Sequence, residues 1–375
     1  MVTLFDEQYS RRDLERLTGR TDQIGGITPL ELADGRARSV PALRFDTGAG
    51  LSFTALAGRT LDLAHAHFQG IPLCWRSLNG DAAASFYDPT GERWLRMFFG
   101  GLLTTCGLTN FGPPGEDSYG AFGLHGPVNC LPSEDVRWSE RWEGDECILE
   151  VEGTTRQTRV FGEDLWLHRR ISTQLGSRSL RIHDIVINHG FERQPHMILY
   201  HCNLGFPILS PGAELYVSHR EMRPRDGEAV KGIDVWNMVE GPQPGFKEQV
   251  FIHQPVPCDD GRAAAVLINH ALPGDGLGLA VRFDPQQLPA MIQWRMLGES
   301  TYVMGLEPAN CPTIQGRVEA ARRGTLPFLD AGESRQYEIE FVVLPDRREV
   351  EEMVAMIEQA NQKHGTTVQR RPDTG

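Results

Sequence analysis

Paired cysteines, long apolar runs and an excess of basic charge are all missing from this chain. Its seven cysteines (Cys74, Cys106, Cys130, Cys147, Cys202, Cys258 and Cys311) are odd in number and widely spaced, with no C-x-x-C pair. Structural zinc and thioredoxin-type chemistry therefore lack support, and reduced, buried thiols are expected. No run of about 18 apolar residues occurs, so no transmembrane helix is expected. The opening residues have neither a basic stretch nor a long apolar core, and none of the nine asparagines sits in an N-x-Ser/Thr sequon. No secretory signal is expected, and a cytoplasmic protein fits. With 37 basic against 50 acidic residues the formal charge is -13. Such a surface repels phosphate backbones, so neither nucleic acid nor an anionic membrane is an expected partner. The small basic cluster Arg317, Arg322 and Arg323 reads as solvated surface.

Several motifs are also absent. There is no G-x-S-x-G, no H-E-x-x-H and no G-x-x-x-x-G-K-[ST]. The glycine-rich Gly120–Gly126 has the wrong spacing for a dinucleotide fingerprint and no helical pattern follows it. His65-x-His67 would share one face of a strand, but Gly70 and Ile71 stand where a metal-binding barrel would want a Glu. A pair of surface or core histidines is the better reading.

What the chain has in quantity is turn formers. Its 40 glycines and 24 prolines are about one residue in six, against roughly 12% in average usage. They are spread between apolar runs, which argues for many short strands. Alternation at Leu277–Phe283 and Tyr337–Val343 reads as two half-buried strands. Leu165–Ile171 and Leu180–Val186, separated by a turn at Gly176–Ser179, read as a hairpin. Residues 11–17 suit a short helix. Asp346 is a good N-cap for a helix at about 347–361, with Val350, Met353, Val354 and Ile357 on one face. The Pro/Gly-rich stretches near 111–127 and 241–257 read as long loops. The expected organisation is an N-terminal extension (1–30), one β domain (31–345), a docked helix (346–365) and a polar tail (366–375). No fixed-period repeat supports a propeller.

Two segments carry chemistry. In Tyr200–Pro207, strand alternation places Met197, Leu199, His201 and Asn203 on one face, so a polar pair continues an apolar face. This fits a strand running into a cavity, and equally a hydrogen-bonded core histidine. In Tyr302–Asn310, Glu307 closes an apolar stretch just before Pro308. A carboxylate there is either functional or a cap on a strand end.

With Gly58-Arg59-x-x-Asp62, Gly100–Leu108 and Gly123-Leu124-His125-Gly126, these segments resemble the aldose 1-epimerase (galactose mutarotase-like) superfamily. The likeness is to a poorly characterised aldose-1-epimerase-like bacterial branch, and it spans about residues 50–345. The resemblance implies an all-β fold, a large antiparallel β-supersandwich with a sugar cleft on one sheet. It implies that His201 is the general acid and Glu307 the general base of anomer interconversion. His125 would bind substrate, and Glu248 would contact sugar hydroxyls. No metal or organic cofactor is implied. Acid and base would work from opposite sides of the sugar ring, with Glu307 kept ionised by donors or a cation. The family's Gly-Arg-x-x-Asn-Arg segment, which supplies a substrate-binding Arg, is replaced here by Gly-Gly-Leu-Leu-Thr-Thr-Cys-Gly. Arg96 could take over that contact, or pair on the surface. The expected partner is a monosaccharide or sugar derivative. Two alternatives stand beside the epimerase: a non-catalytic sugar-binding or regulatory protein, and another sugar isomerase or lyase using the same pair. The sugar and the oligomeric state are open.

Overall fold

In the computed structural model, described for residues 1–372, alternating apolar residues build three large sheets. The first is a sequential five-stranded meander of Gly26–Leu32, Val40–Asp46, Leu51–Leu56, Asp62–Phe68 and Ile71–Pro72. Its first strand straddles residue 30 and is fully paired with its neighbour. The second is an eight-stranded antiparallel sheet that contains the expected hairpin as Asp164–Gln174 and Ser179–Asn188.

The third sheet has seven strands, numbered here in chain order. They are β1 (Thr104–Cys106), β2 (Leu199–Gly205), β3 (His219–Pro224), β4 (Gln249–Pro255), β5 (Ala290–Leu297), β6 (Tyr302–Ala309) and β7 (Thr367–Val368). Their spatial order is β7-β3-β4-β5-β6-β2-β1. All neighbours are antiparallel except β3 and β7. β4 falls inside a stretch expected to be a loop. The prolines and glycines that suggested a loop only flank it, and its own Val250, Phe251 and Ile252 are buried. β7 likewise gives the expected polar tail a short paired segment.

Strand alternation gives this third sheet two different faces. Tyr200, Cys202, Leu204, Met304 and Leu306 point inward. They share one apolar core with Leu165, Leu167, Ile182 and Phe341 of the eight-stranded sheet. Inside that core lies a buried ionic network. Arg169 binds Asp62 at 2.7 Å and Asp184 at 2.7 Å, and donates to Thr105 Oγ1 at 2.8 Å. Tyr200 donates to Asp184 at 2.8 Å. All three sheets are thereby tied together behind β1 and β2. A charge buried there is tolerated because every member has a partner.

The helices close the outside. Arg11–Leu17 carries a Ser10/Asp13 capping box. Arg347–His364 runs three residues beyond its expected end and stops at Gly365, whose φ is 71°. Val350, Met353 and Ile357 seat it on Val266, Ile268 and Ala280. No helix among the described residues is long and apolar enough to cross a membrane. All seven cysteines are free and buried. Arg317 is not solvated surface: it is buried and grips Asp117 through two hydrogen bonds of 2.7 and 2.8 Å.

Candidate active site

The outward face of the seven-stranded sheet carries the site. Register fixes its rows. His201 faces Thr104 on one side and lies between the β2–β6 pairs Leu199–Ala309 and Cys202–Leu306. It is therefore level with Glu307, which faces Ile292, then Ile252, then Arg223. One row further along the strands stand Asn203, Gly305, Trp294 and Val250. The Arg225 N–H donates to the Val250 carbonyl at the row's end. Residues two apart on a strand share a face, so both rows open to the same side.

His201 Nε2 lies 3.2 Å from Glu307 Oε1. Both side chains are buried, at 5% and 4% exposure. Neither His201 Nδ1 nor Glu307 Oε1 has a hydrogen-bond partner in good geometry. The carboxylate rests over Gly305, where a methyl group would overlap Oε1 and sit 3.0 Å from Trp294 Cβ. Glycine is needed here for space.

Aromatic rings enclose the pair. Phe98 and Trp294 lie 5.1 and 5.3 Å from the His201 ring, centre to centre. Trp75 closes on both, at 5.8 Å from Phe98 and 6.4 Å from Trp294. Trp94 stacks on Phe98 at 4.7 Å and meets the tilted His125 ring at 4.7 Å. This wall is held from behind by Arg59, buried and donating to the carbonyls of Ala82, Met97 and Asn129. Trp94 Nε1 adds a bond of 2.7 Å to Asn129 Oδ1.

His125 stands 6.1 Å from His201, centre to centre. Its backbone is left-handed, at φ 57°. It is clamped because its N–H donates to Gly112 O at 3.0 Å and its carbonyl accepts from Gly107 at 2.9 Å. Its Nδ1 accepts from the Gly112 N–H at 3.3 Å. The proton of the neutral ring therefore sits on Nε2, which makes His125 a donor. At the open end, Trp294 Nε1 donates to Glu248 Oε2 at 2.8 Å, and Arg225 binds Glu248 Oε1 at 2.9 Å. Arg225 also holds Asp226 at 2.7 Å.

The electrostatics follow from burial. Loss of water pushes His201 well below the usual histidine value, and His125 adds to this, while Asn203 opposes it. Burial brings His125 down to about 4. Glu307 is raised well above the usual carboxylate range, first by burial and then by Glu248, with Arg225 pulling the other way. Two groups of this kind, shifted towards neutrality and in contact on a pocket floor, can pass protons to and from a bound molecule.

A family model described as "Domain of unknown function (DUF4432)" matches residues 37–343. The chain belongs to the DUF4432 family. Comparison with curated protein sequences gives no match. Among solved structures, a candidate aldose 1-epimerase from Klebsiella pneumoniae is similar, with a TM-score of 0.87 at 23% identity over 95% of this chain and 94% of that one. A galactose 1-epimerase from Lactobacillus acidophilus has a TM-score of 0.56 at 13% identity over 86% and 100%. A galactose mutarotase-like protein from Clostridium acetobutylicum has 0.57 at 12% over 86% and 99%. These likenesses establish the galactose mutarotase-like, all-β fold.

Within this family member the structure brings His201, Glu307 and His125 together, with Glu248 reaching the group through Trp294. Arg96 is different: its side chain is exposed, and its carbonyl accepts from Arg36. The guanidinium that acts on Glu307 is that of Arg225, bound to Glu248. His201 and Glu307 stand on neighbouring strands of one sheet face. Among the described residues, Glu307 Oε1 has no hydrogen-bond donor in good geometry. The segment Gly58-Arg59-x-x-Asp62 proves structural, its Arg holding the wall and its Asp holding the core network. His65 and His67 stack at 6.4 Å on the fourth strand of the five-stranded meander, with His65 3.5 Å from Asp81. Trp294, Trp75, Phe98 and Arg225 were not singled out by sequence. Trp294 had one signal, its place two residues after Ile292 on an alternating strand.

Proposed function

We propose that the protein interconverts the anomers of a monosaccharide or modified sugar by acid/base ring opening and closure, as an aldose 1-epimerase-like enzyme. The observation that carries this reading is the buried His201–Glu307 contact of 3.2 Å, enclosed by the rings of Phe98 and Trp294. Mutarotation needs one proton given and one taken. The C1 hydroxyl oxygen and the ring oxygen are bonded to the same carbon, so two adjacent groups on one side of the ring can reach both. Opening the hemiacetal leaves a free aldehyde; rotation about C1–C2 and closure give the other anomer. The rings of Trp75, Phe98 and Trp294 suit the C–H faces of a sugar, while His125 and Glu248 offer a donor and an acceptor to hydroxyls.

The test is NMR saturation transfer between the anomers of a panel of neutral, acidic and phosphorylated sugars. At least one should exchange faster with enzyme, and His201→Ala and Glu307→Gln should each abolish the gain. A panel in which no sugar exchanges faster would defeat the proposal. Sugar binding without exchange would instead favour a binding protein on this fold, and a new product would favour another isomerase or a lyase.

A further inference from the structure

Asn203 sits fully buried beside the pair, on the same face and strand as His201. Its amide cannot be turned over. Nδ2 donates to Gly101 O at 3.1 Å and to His201 O at 2.8 Å, two carbonyls that can only accept. Oδ1 must therefore face the other way, and there it has no partner. On the same strand, His201 Nδ1 is buried and unpartnered as well. One is an obligate acceptor; the other becomes a donor when protonated. Buried polar atoms are rarely left unmatched, and these two match only with the proton on Nδ1.

We propose that Asn203 is a positioning residue that holds the His201 proton on Nδ1, leaving Nε2, 3.2 Å from Glu307 Oε1, as the ring's acceptor, and that at rest Glu307 holds the proton the pair exchanges. The cup around Glu307 supports this. Gly305 below and Trp294 beside it supply no donor to Glu307 Oε1, so a carboxylate would be buried without compensation. A neutral carboxylic acid avoids that buried, uncompensated charge. The charged or titratable groups on the pair's face are His125, Glu248 and Arg225, together with the Cys106 thiol, which burial and Glu307 push well up; the Cys202 thiol lies on the opposite face of the strand. Arg225 is already paired with Asp226 and Glu248.

The chemical consequence rests on the epimerase reading above and reverses the expected order of roles. Glu307 gives its proton to the ring oxygen as the C1–O bond breaks. His201 Nε2 takes the proton of the C1 hydroxyl as the C1=O bond forms. The open-chain aldehyde then stands over a carboxylate and an imidazolium in contact, and each stabilises the other in a dry pocket. On closure the carboxylate recovers the proton from the attacking hydroxyl, and the imidazolium returns its proton to the carbonyl oxygen.

The resting state can be tested without any substrate. In protein labelled with 15N-histidine, the His201 signals are assigned by their loss in His201→Gln. At neutral pH they should show a neutral ring with hydrogen on Nδ1. An infrared difference between wild type and Glu307→Gln should contain the carbonyl band of a protonated carboxyl. A proton on Nε2, an imidazolium, or no such band would overturn the proposal. Asn203→Asp should keep Nδ1 protonated and raise the pH at which His201 titrates, whereas Asn203→Leu should mix the tautomers. An unchanged tautomer and titration in both would remove Asn203 from the account. With a reacting sugar, Asn203→Leu should lower kcat about 10²-fold with KM little changed, since a wrong tautomer stops proton transfer rather than binding. Failure of every sugar to react would defeat the epimerase reading alone, because the spectra report the proton's position regardless.

Discussion

The cup beneath Glu307 makes Gly305→Ala a sharp perturbation. The added methyl would overlap Oε1 and lie 3.0 Å from Trp294 Cβ, which is backbone-anchored and cannot retreat. Glu307 must therefore swing out, by on the order of 1 Å, and its 3.2 Å approach to His201 Nε2 is lost. A misplacement of that size costs about 10²-fold in rate, which is about 2.7 kcal/mol of barrier. The stability cost should be smaller. Overpacking costs about 1–3 kcal/mol, while replacing glycine in a strand returns roughly 0.5–1 kcal/mol. The assay is anomer exchange with a reacting sugar, alongside thermal unfolding. The double variant with Glu307→Gln supplies the control: if alanine acts only through the carboxylate, it should be no slower than Glu307→Gln alone. A stable Gly305→Ala protein exchanging at the wild-type rate would refute the argument.

Other outcomes follow from the same geometry. Arg169→Met would strand Asp62 and Asp184 in the core, at a cost of about 3–5 kcal/mol, read as a lowered unfolding temperature; an unchanged transition would show that the network carries no stability. His196 and His219 are buried and neutral, and burial brings each down to about 4. Because the unfolded chain binds their protons first, stability should fall as pH drops from about 6.5 towards 4, by up to about 1.4 kcal/mol per pH unit for each. His219→Gln should flatten that slope in a series of melts, and an unaltered slope would exclude His219. Arg225→Gln frees Glu248 and, through it, the Trp294 ring, so KM should rise about tenfold while kcat changes less, given that a hydrogen bond to a charged group contributes roughly 1.5–3 kcal/mol; a fall in kcat alone would contradict a binding role.

Much of this site could be read from sequence where the signal was local. Alternation placed His201 and Asn203 on one face, and the apolar run ended by Glu307-Pro308 marked a carboxylate at a strand end. The C-terminal helix was legible through its Asp346 cap. What stayed hidden depends on pairing across distance. That His201 and Glu307 stand side by side follows from β2–β6 register, which joins residues about a hundred apart, and nothing in either segment specifies it. The strand Gln249–Pro255 was masked by its own punctuation, since Pro242, Pro244, Gly245 and Pro257 lie close on both sides. Arg96 sits next to a true site element, Trp94, but a short helical turn sends the two side chains different ways. The aromatic residues are only 8% of the sequence, yet Trp75, Phe98 and Trp294 converge from three parts of the chain. Composition could not show that concentration.

The account's central claim is that His201 and Glu307 act as one proton-exchanging unit on a sugar's anomeric centre. Anomer exchange measured for His201→Gln, Glu307→Gln and the double variant tests it most directly. The account predicts losses of about 10²–10⁴-fold that are nearly the same in all three, because removing either partner disables the pair. Single losses that multiply in the double variant, or a single variant that keeps the wild-type rate, would contradict it.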